Sequence, residues 1–250
     1  MKIVSWNVNG IRSAYSKGFV DYMKKEQPDI LCLQEIKCDE KNFPEELHHL
    51  NYSLFLHPAK KPGYSGVAVF TRNKPQKVEK DFGMERFDDE VRILLLTYQE
   101  FILIALYIPN GGRDKENMEY KLDVYKKLLA FLEKNKDKKV VVIGDMNIAH
   151  EEIDLARPKE NKNSTMFTPE EREQLSKLIS TSYIDTFRYL HKDEKKYSWW
   201  PYFANARTRN LGWRIDYVFI SKPLLPHLKG AFIRNEVMGS DHCPIGIELK

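Results

Sequence analysis

Apolar and polar positions follow two different periods along this chain. Short apolar runs rich in β-branched and aromatic residues recur at Lys2–Asn7, Asp29–Gln34, Val67–Thr71, Arg92–Tyr98, Phe101–Tyr107, Lys139–Ile143, Arg214–Ile220 and Pro244–Leu249, and each predicts a strand. Glu100 separates two of these runs and marks a hairpin. Between strands the spacing turns helical. Leu122, Tyr125, Leu128, Leu129 and Leu132 share one face of a helix predicted over Asn117–Lys134. Thr168-Pro-Glu-Glu171 reads as a capping box with proline at the first helical position, followed by Leu175, Leu178 and Ile179 as the buried face. Gly18–Lys25 is a shorter helix, ended before Pro28. Pro109–Glu116 and His150–Phe167 are long polar loops. No Gly/Ser linker, low-complexity tract or repeat divides residues 1–250, so one α/β domain is expected.

Polar residues gather at strand ends. Asn7, Asn9 and Gly10 follow the first strand, Gln34-Glu35 closes the second, Asn110 and Gly111 follow Tyr107, and Gly144-Asp145-Met146-Asn147 ends the sixth run. By contrast, Gly239-Ser-Asp241-His242 precedes the last strand, and Asp216 lies near the start of the strand before it. C-terminal and N-terminal strand ends meet on one edge only if some strands run opposite to others. Mixed sheets, or two packed sheets, are therefore implied, and the Gly-rich nucleotide fingerprints of an all-parallel sheet are missing.

Composition narrows the setting. The chain has 250 residues, 42% of them hydrophobic, enough for a substantial core. A net charge of +4 does not by itself demand a polyanionic partner. Cys32, Cys38 and Cys243 are odd in number and form no Cys-x-x-Cys pair, which argues against disulfides and thiolate zinc and for a reducing compartment. No apolar stretch approaches transmembrane length, and no charged region followed by a long apolar run precedes the first strand. A cytoplasmic monomer is expected, nucleoid-associated in a prokaryote.

Asn7, Glu35, Asp145, Asn147 and Asp241 are hard oxygen donors, which suit magnesium, with manganese as a substitute, better than zinc. Phosphoester cleavage also needs a positioned water and stabilisation of the phosphoryl oxygens. Asp145 can take a proton from water, while Tyr107 and His242 can donate to phosphoryl oxygens; an Asp216–His242 hydrogen bond would orient the ring and favour its charged form. Each feature alone has a plainer explanation. Asp145 and Asn147 cap turns well, a lone histidine is usually structural, Glu35 beside Lys37 is an ordinary ion pair, and Tyr107 can pack on Pro109. Their joint placement at strand ends is what points to chemistry.

Six motifs carry a resemblance over essentially the whole chain: Ser5-Trp-Asn-Val-Asn-Gly10, Leu33-Gln-Glu35, Tyr107-Ile-Pro-Asn110, Gly144-Asp-Met-Asn147, Trp213-Arg-Ile-Asp216 and Gly239-Ser-Asp-His-Cys-Pro244. Together they closely resemble the exonuclease III family of apurinic/apyrimidinic (AP) endonucleases, within the endonuclease/exonuclease/phosphatase superfamily. The resemblance implies a four-layer α/β sandwich of two packed mixed sheets flanked by helices. It implies magnesium-dependent hydrolysis of double-stranded DNA 5′ to abasic sites, leaving a 3′-hydroxyl, with 3′-5′ exonuclease and 3′-phosphatase side activities. Carried over by motif, Tyr107, Asp145, Asn147, Asp216 and His242 are catalytic. Asn7, Glu35, Asp145, Asn147, Asp241 and His242 form the metal and polar floor. One or two metals, and the identity of the base, stay open. Two positions depart from the family: Asn9 replaces an acid that some relatives carry, and Trp199 replaces a common phenylalanine.

Residues Lys195–Ile215 contain no acid and interleave Lys195, Lys196, Arg207, Arg209 and Arg214 with Tyr197, Trp199, Trp200, Tyr202, Phe203 and Trp213. Cations release phosphate counterions and aromatic faces receive unstacked sugar or base, so the stretch is expected on DNA. Trp199, Trp213 and Ile215 would form a pocket that accepts an abasic sugar and rejects an intact base. Trp200 and Tyr202 fit core or surface equally well. The resemblance adds Arg113 near the lesion and Asn161 and Lys162 on phosphate; Arg12 and Tyr64 are expected to grip the flanking backbone, and Asn110 and Gly111 to contact DNA. Two alternatives remain: a non-DNA phosphoesterase of the superfamily, of phosphoinositide phosphatase or sphingomyelin phosphodiesterase type, and a non-catalytic DNA-binding module.

Overall fold

The computed structural model describes residues 1–250. Strands β1 (Lys2–Asn7), β2 (Ile30–Gln34), β3 (Ser53–His57), β4 (Val67–Thr71), β11 (Leu228–Ile233) and β12 (Ile245–Leu249) form one six-stranded sheet, ordered β11-β12-β1-β2-β4-β3. Strands β5 (Lys77–Glu79), β6 (Ile93–Thr97), β7 (Ile102–Tyr107), β8 (Val140–Asp145), β9 (Tyr183–Asp185) and β10 (Asp216–Ser221) form the other, ordered β5-β6-β7-β8-β10-β9. Both are mixed. β1 runs parallel to β2 and antiparallel to β12. β8 runs parallel to β7 and antiparallel to β10. The eight strands read from the sequence are all present, and the four missed ones, β3, β5, β9 and β11, are the four sheet edges.

Side-chain alternation explains the layering. Successive residues of a strand point to opposite faces. Ile3 of β1, Leu103 and Ala105 of β7, Val141 and Ile143 of β8, and Val218 and Ile220 of β10 belong to the core between the sheets. Their neighbours Ile104, Leu106, Val140 and Val142 face outward onto Val124, Tyr125, Leu128 and Leu132 of the helix Met118–Asn135 and Leu175 and Leu178 of the helix Pro169–Ser180. Across the molecule, Val4, Trp6, Leu31 and Leu33 pack against Phe19, Tyr22 and Met23 of the helix Phe19–Glu26. The result is helix, sheet, sheet, helix. Burying each large side chain contributes about 1.5–3 kcal/mol. The capping box forms: Thr168 Oγ1 accepts from the Glu171 amide at 3.2 Å, and Glu171 Oε2 accepts from the Thr168 amide at 3.0 Å.

At Gly144 the close approach of β7 requires glycine. Its φ is +144°, and a Cβ there would stand 1.9 Å from the Leu106 carbonyl oxygen. Gly144→Ala is expected to cost about 3 kcal/mol or more, because both the backbone conformation and the ladder oppose the methyl group. A urea midpoint matching the wild type would contradict this.

Candidate active site

The inward rows that build the central core end in polar groups at one edge. Asn7 follows Ile3 and Ser5, Tyr107 follows Leu103 and Ala105, Asp145 follows Val141 and Ile143, and Asp216 precedes Val218 and Ile220. The antiparallel β8–β10 register sets Asp216 directly opposite Asp145, and the parallel β7–β8 register sets Tyr107 opposite Asp145 on the other side. Asn7 then ties the two sheets together: its Nδ2 donates to Glu35 Oε1 at 2.8 Å and to Asp145 Oδ2 at 2.9 Å. Asn9, Glu35 and Asn147, just past three strand ends, all adopt left-handed backbone (φ 43°, 51° and 51°). For Glu35 that conformation costs on the order of 1 kcal/mol, a strain typical of functional turns.

Asp145 and Asp216 are both buried. His242 stands between them, Nδ1 2.8 Å from Asp216 Oδ2 and Nε2 3.9 Å from Asp145 Oδ2. Burial opposes the imidazolium, but Asp216, Asp145 and Asp241 outweigh it and push the His242 pKa up to about 10. Burial and the charge of Asp216 push Asp145 up to about 8, against the pull of His242. Glu35 is held low despite burial by Lys37 and Asn7. One ligand atom each of Glu35, Asp145 and His242 lie within 4.8 Å of one another, so these three could hold a metal ion.

Tyr107 is buried among Glu35 and Asp145, and burial with these charges raises its pKa well above that of free tyrosine; it remains a hydroxyl donor. Beneath its ring lies the guanidinium of Arg92, 4.3 Å from the centroid, itself bonded to Glu90 and to Tyr64 Oη. Asn147 is fixed on both atoms of its carboxamide: Nδ2 donates to the Ile108 carbonyl at 2.8 Å, and Oδ1 accepts from Asn110 at 3.1 Å. Ser198, fully buried, donates to Asp216 Oδ2 at 2.7 Å and accepts from the amides of Ile215 and Asp216. The roles of Ser198 and Arg92 were missed in the sequence. Nothing local marks Ser198, whereas an arginine opening a wholly apolar strand was a usable signal.

Beside His242, isolated bridges join Trp199 to both Trp213 and His242. Trp199 and Trp213 meet edge-on at 6.4 Å, over Ala149, Leu155, Phe167 and Ile215. A cleft of about 250 Å³ runs alongside, lined by Arg157, Asn161, Phe203, Leu211 and Trp213. Tyr202 and Phe203 are 72% and 74% exposed, whereas Trp200 and Tyr197 lie in the central core. Arg12, Arg113 and Lys162 are exposed, and Tyr64 is half-buried in the hold of Arg92. A roomier cleft of about 620 Å³, lined by Ile30, Tyr98, Phe101 and Leu249, opens elsewhere and holds none of these carboxylates.

Several residues sit differently from expectation. Arg214 does not face DNA: it is buried, with Nε 2.8 Å from Asp154 and Nη2 2.8 Å from Asp185. Arg207 is turned inward too, donating to the carbonyls of Ser240, Asn235 and Val237 and stacking on Trp200, so it latches the loop before His242. Ile215 is covered and forms the floor beneath Trp199 and Trp213. Asn7 turns its amide nitrogen, not its oxygen, toward the carboxylates. Asp241 has Oδ1 occupied by Asn9 and Ser240 and Oδ2 by the Trp199 indole at 3.0 Å, which makes it an anchor rather than an open ligand. Both departures from the family pattern, Asn9 and Trp199, thus end on one carboxylate.

A model of the Endonuclease/Exonuclease/phosphatase family matches residues 4–242. The chain is 41% identical over 248 residues to an exodeoxyribonuclease of Bacillus subtilis (strain 168), with 98% of each chain covered. It is 42% identical over 256 residues to the DNA repair nuclease APEX1 of Danio rerio, covering 100% of this chain and 82% of the relative. An AP endonuclease structure from Archaeoglobus fulgidus matches with a TM-score of 0.91 at 30% identity, over 100% of this chain and 99% of that one. A 3′-5′ exonuclease (NExo) from Neisseria meningitidis matches with a TM-score of 0.92 at 28% identity, over 100% of both chains.

Two outcomes are expected. A divalent cation must displace the Asp145 proton below about pH 8, so its affinity should tighten between pH 6 and 8 with net proton release, measurable by calorimetry in buffers of different ionisation enthalpy. A flat profile would exclude Asp145 from the site. Arg214→Ala should cost about 3–5 kcal/mol of stability, because it leaves buried Asp185 without its cation and buried Asp154 with Arg188 alone. A variant that keeps its stability but binds DNA more weakly would return Arg214 to the surface role.

Proposed function

Because this chain belongs to the Endonuclease/Exonuclease/phosphatase family and is similar over its length to an exodeoxyribonuclease and an AP endonuclease, we propose that it hydrolyses the DNA backbone 5′ to abasic sites, leaving a 3′-hydroxyl. Side activities as a 3′-5′ exonuclease and 3′-phosphatase go with the same site. The observation that carries the proposal is the buried row Asp216–His242–Asp145 beside Glu35, on the same edge as the Trp199–Trp213 wall.

The donor set fits magnesium. Glu35 and Asp145 offer hard oxygens, and magnesium favours one or two carboxylates with water and substrate phosphate completing its shell. A charged His242 offers N–H groups and no lone pair, which leaves the two carboxylates as ligands. When bound, magnesium supplies Lewis-acid stabilisation of the phosphoryl oxygens. The protein does the rest. Asp145 aligns the attacking water and accepts its proton as the water oxygen bonds to phosphorus. His242 Nε2–H and the Tyr107 hydroxyl donate to the non-bridging oxygens, whose charge grows in the transition state. The P–O3′ bond breaks and the departing 3′ oxygen takes up a proton. Asp216 keeps His242 charged and aimed, with Ser198 fixing Asp216 in turn.

The substrate side follows from the apolar wall. An abasic nucleotide has little stacking to lose on leaving the helix. Trp199 and Trp213 offer a face for the bare sugar, and Phe203 and Tyr202 present exposed aromatic rings on which DNA can stack. Arg12, Arg113 and Lys162 are the exposed cations for phosphate.

Asp145→Asn is expected to bind an abasic duplex yet lose most cleavage, and near-normal turnover would remove Asp145 from its role. His242→Ala is expected to cost about 3 kcal/mol or more of transition-state stabilisation, read as the single-turnover rate at saturating enzyme. An unchanged rate would refute the donor assignment.

A further inference from the structure

Behind the catalytic carboxylate, three successive carbonyls each accept a hydrogen bond from a buried side chain. Tyr125 Oη donates to Met146 O at 2.6 Å, Lys121 Nζ to Asn147 O at 2.7 Å, and Tyr217 Oη to Ile148 O at 2.9 Å. Lys121 is the unusual member. It lies on the apolar face of the helix Met118–Asn135, one turn before Tyr125, and is fully buried. Its ammonium also contacts Glu171 Oε1, from a carboxylate that is equally buried. Glu171 in turn accepts the amide of Met166 on Oε1 and that of Thr168 on Oε2. Met166 and Phe167 line the wall around Trp213 and Ile215. Ala149, two residues beyond Asn147, donates its amide to Met166 O at 2.8 Å and closes the circuit.

We propose that the buried Lys121–Glu171 pair is a positioning device that locks the Asp145–Asn147 turn to the Met166–Thr168 pocket wall, so that the hydrolytic groups and the sugar-binding face keep one fixed spacing. Neither residue reaches substrate; both act through the backbone they hold. A buried ion pair is a costly way to gain stability, since an apolar replacement of similar volume is often as stable or more so. Its value lies in direction. Asn147 sits in left-handed backbone, which asparagine tolerates but does not by itself fix in direction. An apolar side chain at position 121 could fill the space but could not hold the Asn147 carbonyl. The substrate part of the proposal rests on the abasic-site function above.

The test uses Lys121→Met with Glu171→Gln, because the double variant leaves no lone buried charge, and the glutamine retains an acceptor for the capping box. Each single variant serves as the control for stability. The double variant is expected to melt close to wild type. Its single-turnover incision of an abasic duplex should fall at least tenfold, while its duplex affinity in chelator stays within twofold. Hydrogen exchange should quicken together in the peptides covering 145–149 and 166–168. Wild-type incision with unchanged exchange in both segments would overturn the proposal and make the pair purely structural. Loss confined to duplex affinity would overturn it too. If the wild type fails to incise abasic DNA, the function proposed above falls instead. Exchange alone then decides the lock: joint quickening supports it and independent behaviour of the two segments refutes it.

Discussion

Two carboxylates face each other across one ladder, and most of this structure answers that problem. Asp145 and Asp216 are direct partners in the β8–β10 register, and both are buried. Like charges opposite one another destabilise a sheet, and burial multiplies the cost. His242 resolves part of it by standing between them as a cation. Asn7 bonds Asp145 from the other sheet, and Ser198 bonds Asp216 from below. Glu35, paired with Lys37, and Asp145 remain as neighbouring carboxyl groups, and a divalent cation held by both would keep Asp145 ionised. Burial and the charge of Asp216 lift Asp145 to about 8, and attraction to Asp216, Asp145 and Asp241 lifts His242, against its burial, to about 10. One electrostatic conflict therefore produces both the metal requirement and a charged donor beside it.

The fold makes that conflict possible. Only mixed sheets bring the C-terminal ends of β1, β2, β7 and β8 to the same edge as the N-terminal ends of β10 and β12. Period-two alternation then aims the last inward residue of each row into the gap between the sheets. The core of valines and isoleucines is thus also the positioning system: the side chains packed at Val141 and Ile143 fix where Asp145 can be.

This logic explains what the sequence disclosed and what it concealed. Central strands are buried on both faces and read as apolar runs, so they stood out together with the polar residues at their ends. The edge strands β5 and β9 have only three residues each, and β3, β5 and β11 carry Ser53, Lys77, Glu79 and Lys229, as exposed edges tend to. They therefore offered no long apolar run to mark them. Charged residues misled in a different way. Arg214 and Arg207 lie in an acid-free stretch and read as a DNA surface. Their partners Asp154, Asp185 and the carbonyls near Ser240 are distant in sequence and invisible to any local count. Lys121 was legible in principle, as a cation on an apolar helix face. Trp199 was noticed for its size, yet its indole N–H is the part that matters for Asp241.

Whether this buried charge arrangement cuts DNA at abasic sites with a divalent cation is decided by end-labelled duplexes carrying one abasic site, incubated with magnesium or with chelator, with both product ends identified. The expected product is a single magnesium-dependent cut immediately 5′ to the lesion, with a 3′-hydroxyl on the upstream fragment and phosphate on the abasic side. Cleavage that survives chelation, a cut on the 3′ side, or an intact lesion strand under conditions where the protein binds it would rule this chemistry out.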